Sequence, residues 1–486
     1  MKNLTVELNK SFYIIFFIIF SIISLLLIEK YQTPWFDEVF FADVSMDFLK
    51  NHTFFCREDA IRTSHEVLIY GPIYFVLSSF SFTVLGFGMW QFRLLGLVSG
   101  LIVLYIFLEK TAKYTNSKYA LLFLLFLITD RVFNFSIHSG RMDMLAVLFL
   151  TIAVLILCER KGNQYIRSFV AGFFLALAGL TTIRILLFLP FLVLLPLFEQ
   201  NNKTRLKLLY QLTFAAITLI VIYLMWVYYA FGSIGSMIDY IKSMPVLNQH
   251  FSGFPGNIYN KIFRKVYEIP KFLLFYISVI YLIRRKAYRD LFISFVVLLS
   301  FGFILFVDEV GPYRAMIFPF LYFVIVYASY DFFKMSKNKW IKNTLIIFVI
   351  GILVTNLILI SARYVVIFAN WNVTSSEILE KKVISLIPKN AKVFGDYKYY
   401  YACKKQNANF ISNSNMNQKK RDFVEKVFRP DYIIVSKDDN FVNMGVKKTI
   451  IPMYSDNHYF FPISLIVMEE SLLDEMCYGG VITKFD

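Results

Sequence analysis

The chain has 486 residues, of which 58% are hydrophobic and 19% aromatic, and its mean hydropathy is +0.58. This apolar content excludes an ordinary soluble enzyme and indicates an integral membrane protein. The net charge of +16 would suggest nucleic acid in a soluble chain, but here lysine and arginine form short clusters between apolar segments. Such clusters mark the cytoplasmic side of a membrane, so we expect no nucleic-acid partner.

The first apolar segment, SFYIIFFIIFSIISLLLIEK, follows Lys2 and Lys10 as the core of a signal peptide would. It is too long for such a core and lacks a small-residue cleavage site, so we interpret it as an uncleaved membrane anchor.

Two adjacent acids, Asp37 and Glu38 in WFDEVFF, follow where the chain leaves the bilayer. The first turn of a helix favours acids, so a solvated helix start explains them as well as a functional role does. Neighbouring helix positions point about 100° apart, and we therefore do not expect both carboxylates to bind one ion.

Apolar stretches long enough to cross about 30 Å of hydrocarbon recur along most of the chain. They lie near residues 11–28, 90–109, 119–137, 143–158, 168–183, 184–198, 208–231, 271–283, 291–307, 314–333 and 341–360. With a cytoplasmic N-terminus, every strong basic cluster falls inside, as the positive-inside rule requires. This predicts a multi-pass protein of the plasma (inner) membrane.

Residues 70–88 are apolar enough to count as a further span, but counting them would place the basic loops outside. We therefore interpret 29–89 as an external loop with interfacial helices, and 232–270 as a second external loop. The predicted fold is a mainly α polytopic membrane protein with about eleven transmembrane helices, formed by residues 1–361.

The last span then ends outside, so residues 362–486 are predicted to form a small extracytoplasmic α/β domain. SSEILEKKVISLIP has helical periodicity, and AKVFGD and DYIIVS resemble short buried strands. Cys403 and Cys477 share this region. They can form a disulfide in an oxidising compartment or remain two thiols, and the sequence does not decide between these.

Charged residues at the predicted external ends of spans are the candidates for a site, because ionisable groups at membrane depth are costly and usually pair or serve a function. They are Asp37 and Glu38, Arg141 and Asp143 in HSGRMDML, Arg184 in LTTIRILL, and Asp308, Glu309 and Arg314 in VDEVGPYRAM. We expect them to share one cavity at the outer leaflet.

Each candidate also has a simpler interpretation. Arg141 and Asp143 can form a local ion pair or a helix cap. Arg314 can anchor a span at the interface. Arg184 interrupts an otherwise uncharged run, so it divides two short helices, binds an anion, or does both.

The order of these features resembles the GT-C glycosyltransferases, in the branch that contains protein O-mannosyltransferases and the aminoarabinose transferase of lipid A. The resemblance covers about residues 10–335. It rests on DE after the first span, YGPIYF for a proline-rich segment, FRLLGLVSG in the second crossing, the GRMD turn, LAGLTTIRILLFLP, and YR before Pro319.

This resemblance implies an inverting enzyme that moves a hexose or pentose from a polyprenyl-phosphate donor to a lipid, glycan or protein acceptor at the extracytoplasmic face. It makes Asp37 the catalytic carboxylate that activates the acceptor. Asp143 is a second acidic site residue, and Asp37 and Asp143 together are candidate ligands for a divalent cation. Arg314 and Arg184 are the candidates for the donor phosphate, and Arg314 is the better match to the family pattern. A base for the incoming hydroxyl and a cation for the leaving phosphate are what this displacement needs.

Further candidates support the substrate. They are Glu38, Arg141, His65, Tyr70 and Glu309. Relatives of the aminoarabinose transferase type carry an acidic-basic pair before the double proline, whereas this chain has Ile69, Tyr70 and Gly71 before Pro72. His65 with Glu66 can replace that pair or simply form a surface pair.

The alternative function is a flippase or transporter of a lipid-linked glycan, since an outer cavity with acids and bases would suit it too. Transporters more often show inverted repeats and broken helices near the midplane, and the sequence shows neither clearly. Neither the sugar nor the acceptor can be inferred from the sequence.

Overall fold

The computed structural model describes most of the chain, and the described residues are mainly helical. They are 2–58, 66–159, 161–187, 189–198, 202–243, 268–287, 290–306, 311–369, 371, 374–413, 423–435, 450–452 and 481–484. The predictions for His65, Asp308, Glu309 and Cys477 lie outside them.

Twelve α-helices of the described residues lie before residue 244. They are α1 (Lys2–Leu26), α2 (Phe36–Asn51), α3 (Ile73–Leu85), α4 (Met89–Tyr114), α5 (Ser117–Thr129), α6 (Arg131–His138), α7 (Asp143–Cys158), α8 (Gln164–Gly179), α9 (Leu189–Leu192), α10 (Leu195–Phe198), α11 (Asn202–Phe231) and α12 (Ile234–Ser243). The later ones are α13 (Ile269–Arg284), α14 (Leu291–Phe306), α15 (Phe318–Met335), α16 (Lys339–Ala369), α17 (Ser376–Leu386) and α18 (Tyr400–Lys405). Two 3₁₀ turns matter below, Ile183–Leu187 and Gly311–Met316.

Three helices of the described residues are long and apolar enough to cross a membrane, namely Met89–Tyr114, Lys203–Phe231 and Lys339–Phe368. They coincide with three predicted spans. Most of the other predicted spans correspond to shorter apolar helices or to a bent pair. The helices α13 and α15 cover the span predicted near 271–283 and most of the one near 314–333. The number eleven stays a prediction. The apolar helix α3 has 13 residues, which is about 20 Å and too short to cross the bilayer.

The span predicted over 119–137 is not one straight helix. It breaks between α5 and α6, which are bent by 67°. The cause is Asp130, whose backbone is extended and whose carboxylate accepts hydrogen bonds from the backbone N–H groups of Val132 (2.9 Å) and Phe133 (3.0 Å). An aspartate in this position caps a new helix rather than continuing the old one.

The span predicted over 184–198 is also wrong as one helix. Arg184 lies in the 3₁₀ turn Ile183–Leu187, and the short helices α9 and α10 follow. Each has a proline near its start, where a preceding helix cannot continue because proline lacks the N–H group. Arg184 therefore does mark a division in the chain.

Two large hydrophobic cores and two smaller clusters lie among the described residues. The larger one lies within the helical region and includes Phe107 of α4 and Phe323 of α15. The second is shared by α2, α3 and the C-terminal region, and it buries Phe40 and Val44 of α2. The spacing of Phe36, Phe40, Val44 and Phe48, four residues apart, predicts an apolar face of α2 that can rest on the membrane. It packs instead against protein, including Tyr400 of α18.

The C-terminal region contains a five-stranded sheet in the order β2-β1-β3-β5-β4. The strands are β1 (Lys392–Gly395), β2 (Asn409–Ser412), β3 (Tyr432–Val435), β4 (Ile450–Pro452) and β5 (Val481–Lys484). β1 runs parallel to β2 and β3, whereas β5 runs antiparallel to β3 and β4. The predicted boundary at 361/362 falls inside α16, because the apolar run continues to Ala369.

Candidate active site

The turn between α6 and α7 carries Arg141, and side chains from other helices fix its backbone. The carbonyl of Gly140, whose φ is +59°, accepts a hydrogen bond from the Tyr74 hydroxyl at 2.6 Å. The Trp35 indole N–H donates to the Ser139 carbonyl at 3.2 Å. The position of Arg141 is therefore set by the fold and not only by its charged partners.

Arg141 binds both acids that the sequence singled out. Its Nη1 lies 2.9 Å from Oδ2 of Asp37, and its Nε donates to Oδ2 of Asp143. The local pair of Arg141 and Asp143 expected as the simpler interpretation thus exists, and Asp37 joins it from α2. The Arg141 and Asp143 side chains are buried, whereas that of Asp37 is 25% exposed. Of these two acids, Asp37 is the one that an incoming molecule can reach.

A tyrosine ring connects this pair to the second arginine. The ring centre of Tyr313 lies 4.3 Å from the Arg141 guanidinium carbon and 3.6 Å from that of Arg184. Such cation–π contacts can be worth about 2 kcal/mol when desolvated. Tyr313 therefore holds two positive charges near each other.

Tyr70 lies beside the same groups. Burial raises the pKa of Tyr70 to about 12, although the nearby Arg184 opposes the shift. The hydroxyl therefore keeps its proton at neutral pH and can donate a hydrogen bond. We call the set Asp37, Tyr70, Arg141, Asp143, Arg184 and Tyr313 the Asp37 cluster.

Gly71 explains how Tyr70 comes so near Arg184. Its φ is +75°, and a Cβ atom there would lie 2.3 Å from the carbonyl oxygen of Leu180. Only glycine fits this approach of two backbones. The segment from Tyr70 to Ile73 is thus pressed against the end of α8, just before the turn that carries Arg184.

Glu38 points away from its neighbour Asp37, as helical spacing predicts. Its two carboxylate oxygens accept from Nε and Nη2 of Arg93 at 2.8 Å each, and both side chains are fully buried. Arg93 also donates to the carbonyls of Ile28 (2.8 Å) and Gln32 (3.0 Å). This geometry fixes α2 to α4 and to the segment that follows α1. The supporting role of Glu38 toward a substrate stays a prediction.

Arg314 has a different neighbour from Arg184. It follows Tyr313 in the 3₁₀ turn Gly311–Met316, is 6% exposed, and forms an ion pair with Glu268 at the start of α13. Its assignment to the donor phosphate stays a prediction.

A metal ion does not fit the two acids as they are placed. Both accept from Arg141, and no group of three His, Cys, Asp or Glu side chains that could hold a metal ion occurs within the described ranges. Arginine already neutralises these carboxylates.

Sequence reasoning missed several charged residues of this region. Asp130 and Lys271 interrupt apolar runs in LFLITDRVFNF and EIPKFLLF, and Glu268 precedes α13. The rule that charges in apolar segments pair or serve a function applies to them as well. Tyr313 was part of a quoted motif, but only the arginine beside it was considered.

Comparison with solved structures identifies the fold. The chain matches ArnT from Cupriavidus metallidurans in the apo state with a TM-score of 0.57 and 10% identity, covering 98% of both chains. It matches the same protein bound to undecaprenyl phosphate with a TM-score of 0.58, also at 10% identity, covering 97% of this chain and 98% of that one. An oligosaccharyltransferase from Archaeoglobus fulgidus, in complex with Zn and sulfate, aligns with a TM-score of 0.49 and 12% identity over 86% of this chain and 68% of its own.

Neither a protein-family model nor a curated protein sequence matches the chain. The likeness to ArnT extends over nearly the full length of both chains, so it describes the whole architecture. The resemblance to the GT-C glycosyltransferases that the sequence motifs suggested is thereby confirmed at the level of the fold.

Proposed function

We propose that this protein is an inverting glycosyltransferase that moves a sugar from a polyprenyl-phosphate donor to an acceptor at the extracytoplasmic face of the membrane. The observation that carries the proposal is the pairing of Asp37 with Arg141. It gives a partly exposed carboxylate, held in place by a buried arginine, at the edge of a cluster with a second arginine. A base beside fixed positive charge is what displacement of a phosphate from a sugar requires.

Asp37 is the general base in this proposal. The acceptor hydroxyl oxygen forms a bond to the anomeric carbon, its proton passes to the Asp37 carboxylate, and the bond from the anomeric carbon to the phosphate oxygen breaks. The polyprenyl phosphate leaves with the bonding electrons. One displacement of this kind inverts the anomeric configuration.

The arginines supply the charge for the leaving group. Arg184 is the better candidate for the donor phosphate, because its guanidinium is held by a tyrosine ring rather than by a carboxylate among the contacts described above. Arg141 orients Asp37 and Asp143 and adds positive potential nearby. Tyr70, which keeps its proton, can donate to a phosphate or sugar oxygen.

The fold and the sequence support this choice of donor and membrane face. ArnT, whose fold the chain shares, has been crystallised with undecaprenyl phosphate bound. The basic clusters of the chain support a cytoplasmic N-terminus, with the Asp37 cluster and the C-terminal domain outside, at the inner membrane.

The test is mass spectrometry of lipid that co-purifies with the protein in mild detergent. We expect a polyprenyl phosphate that carries one hexose or pentose, with less of it bound to the Arg184→Gln variant. A polyprenyl diphosphate that carries a long glycan, together with membranes that translocate it and transfer no sugar, would favour the transporter instead.

A further inference from the structure

Two ion pairs at the start of α13 connect this helix to two segments that lead into the Asp37 cluster. Glu268 immediately precedes the helix, and Lys271 follows three residues later; both are buried, with 0% and 3% exposure. Residues three apart lie on the same face of a helix. Each binds an opposite charge on a different segment, and both segments lead into the cluster.

Lys271 holds the break between α5 and α6. Its Nζ lies 2.7 Å from Oδ2 of Asp130, which also accepts from the Tyr322 hydroxyl at 2.8 Å. The other oxygen of Asp130 caps α6. One carboxylate thus joins α13 and α15 to the start of α6, and eight residues later α6 leads into the turn that carries Arg141.

Glu268 holds the other segment. It pairs with Arg314 in the 3₁₀ turn Gly311–Met316, and the residue before Arg314 is Tyr313, whose ring contacts both arginines of the cluster. This turn also packs against α6. The start of α13 therefore fixes the two segments that meet at Arg141.

Folding stability alone does not account for these pairs. Replacing a buried ion pair by apolar residues of similar volume is often neutral or stabilising, whereas removing one partner leaves an uncompensated charge. The ring centre of Phe318, a residue of the larger hydrophobic core, lies 4.8 Å from Lys271 Nζ. Two ion pairs of opposite sense on one helical turn fix the direction of the segments that they bind, and apolar packing does not.

We propose that the first turn of α13 is a positioning clamp. In it, Lys271 acts through Asp130 to orient Arg141, and Glu268 acts through Arg314 to orient Tyr313. These four residues are positioning residues for the proposed transfer and do not touch the sugar. The inference rests on the proposed function for its effect on rate, but the clamp itself is measurable without activity.

The activity-independent measurement is hydrogen exchange of the amides in residues 131–143 and 311–316. Lys271→Met should raise exchange in 131–143, and Glu268→Gln should raise it in 311–316. The matched control is Arg285→Gln, because Arg285 at the far end of α13 forms a more exposed pair with Asp331 of α15. Unchanged exchange in both clamp variants, as in the control, would overturn the clamp.

The kinetic measurement is a double-variant cycle on Glu268 and Arg314. Glu268→Gln and Arg314→Gln should each lower kcat roughly ten- to hundredfold, as small misplacements of reacting groups do, and the double variant should be no worse than either one. Arg314→Lys and the exchange Glu268→Arg/Arg314→Glu should recover part of the rate. Thermal unfolding of each variant shows whether it is folded.

The same variants distinguish the clamp from a direct contact with phosphate. If Arg314 binds the donor, Arg314→Gln should weaken binding of undecaprenyl phosphate while Glu268→Gln does not, and the exchange should not recover the rate. That result would overturn the Glu268 half of the clamp. A wild-type protein that transfers no sugar contradicts the proposed function instead, and the exchange data still decide the clamp.

Discussion

The neighbouring acids Asp37 and Glu38 have different environments, and these environments determine whether an incoming molecule can reach each carboxylate. Asp37 is partly exposed and pairs with Arg141, whereas Glu38 is fully buried and pairs with Arg93. Helical spacing predicted that they diverge, and this could be argued from the sequence. Which arginine each acid meets depends on helices that are distant in the sequence. The pairing therefore could not be predicted from the sequence.

The sequence predicted that all the charged candidates at the external span ends share one cavity. The structure brings Asp37, Arg141, Asp143 and Arg184 together, whereas Glu38 pairs with Arg93 and Arg314 with Glu268. Asp308 and Glu309 lie outside the described residues. The argument worked because charges at span ends can only gather on one side of a membrane. The sequence argument assigned no partner to Arg314, because Glu268 lies outside every motif considered. The catalytic and phosphate-binding roles of the cluster stay predictions.

Tyr70 provides a prediction on pH dependence. Burial raises its pKa to about 12 from an ordinary value near 10, so the hydroxyl is neutral up to that range. Tyr70→Phe should lower the transfer rate by roughly ten- to a hundredfold, the loss of one hydrogen bond to a charged group. Any fall in wild-type rate below pH 10 should persist in the variant, because Tyr70 does not titrate there. The pH–rate profiles of the wild type and of Tyr70→Phe are the measurement. If the fall in rate below pH 10 disappears in Tyr70→Phe, the protonation state assigned to Tyr70 is contradicted.

The elements that deviate from the sequence prediction are the ones next to the site. Apolar length predicted the long helices α4, α11 and α16, whose sequences are uninterrupted. It did not predict the break within 119–137, where Asp130 caps a second helix, or the breaks after Arg184, where prolines begin new short helices. Hydropathy averages over a window, so it does not register a single capping residue or proline.

A substitution at Gly71 should displace the whole segment that carries Tyr70. Gly71→Ala must move the segment around Tyr70 away from the backbone at Leu180, because the added Cβ would lie 2.3 Å from an oxygen atom. We expect at least about 2 kcal/mol of destabilisation and loss of sugar transfer. Thermal unfolding and the transfer rate are the measurements.

The control for that variant is Gly162→Ala. Gly162 also has positive φ, but nothing lies within 4 Å of its added Cβ, and it is found in the turn between α7 and α8. It should lose about 1 kcal/mol of stability and keep its transfer rate. Equal effects of the two substitutions on the rate would show that the close approach at Gly71 does not matter for the site.

At the scale of the whole molecule, the C-terminal region is attached to the helix that carries Asp37. Asp43 of α2 is buried and accepts from the Tyr400 hydroxyl at 2.8 Å and from Lys404 Nζ at 3.1 Å. Burial raises the pKa of Tyr400 well above its usual value, and the hydroxyl therefore keeps its proton. Composition and strand patterns suggested a separate α/β domain, but the shared core could not be predicted from them, because it joins residues more than 300 positions apart.

Tyr400→Phe should therefore loosen this attachment. It removes one hydrogen bond to a buried carboxylate, which costs about 2 kcal/mol, and leaves the ring in place. We expect a lower unfolding temperature and faster hydrogen exchange in α18. Lys381→Met, which removes an exposed pair with Glu377, should change stability by less than about 0.5 kcal/mol. If both variants unfold at the wild-type temperature, the contact to Asp43 does not hold the domain.

The measurement that tests the central claim most directly is sugar transfer by Asp37→Asn, in membranes that contain the donor lipid identified by mass spectrometry. The amide cannot accept the acceptor proton, so the rate should fall by about a hundred- to ten-thousandfold. The protein level should stay unchanged, and the product of the wild type should have the anomeric configuration opposite to that of the donor. Wild-type rates in Asp37→Asn, or a product that retains the donor configuration, would contradict the account.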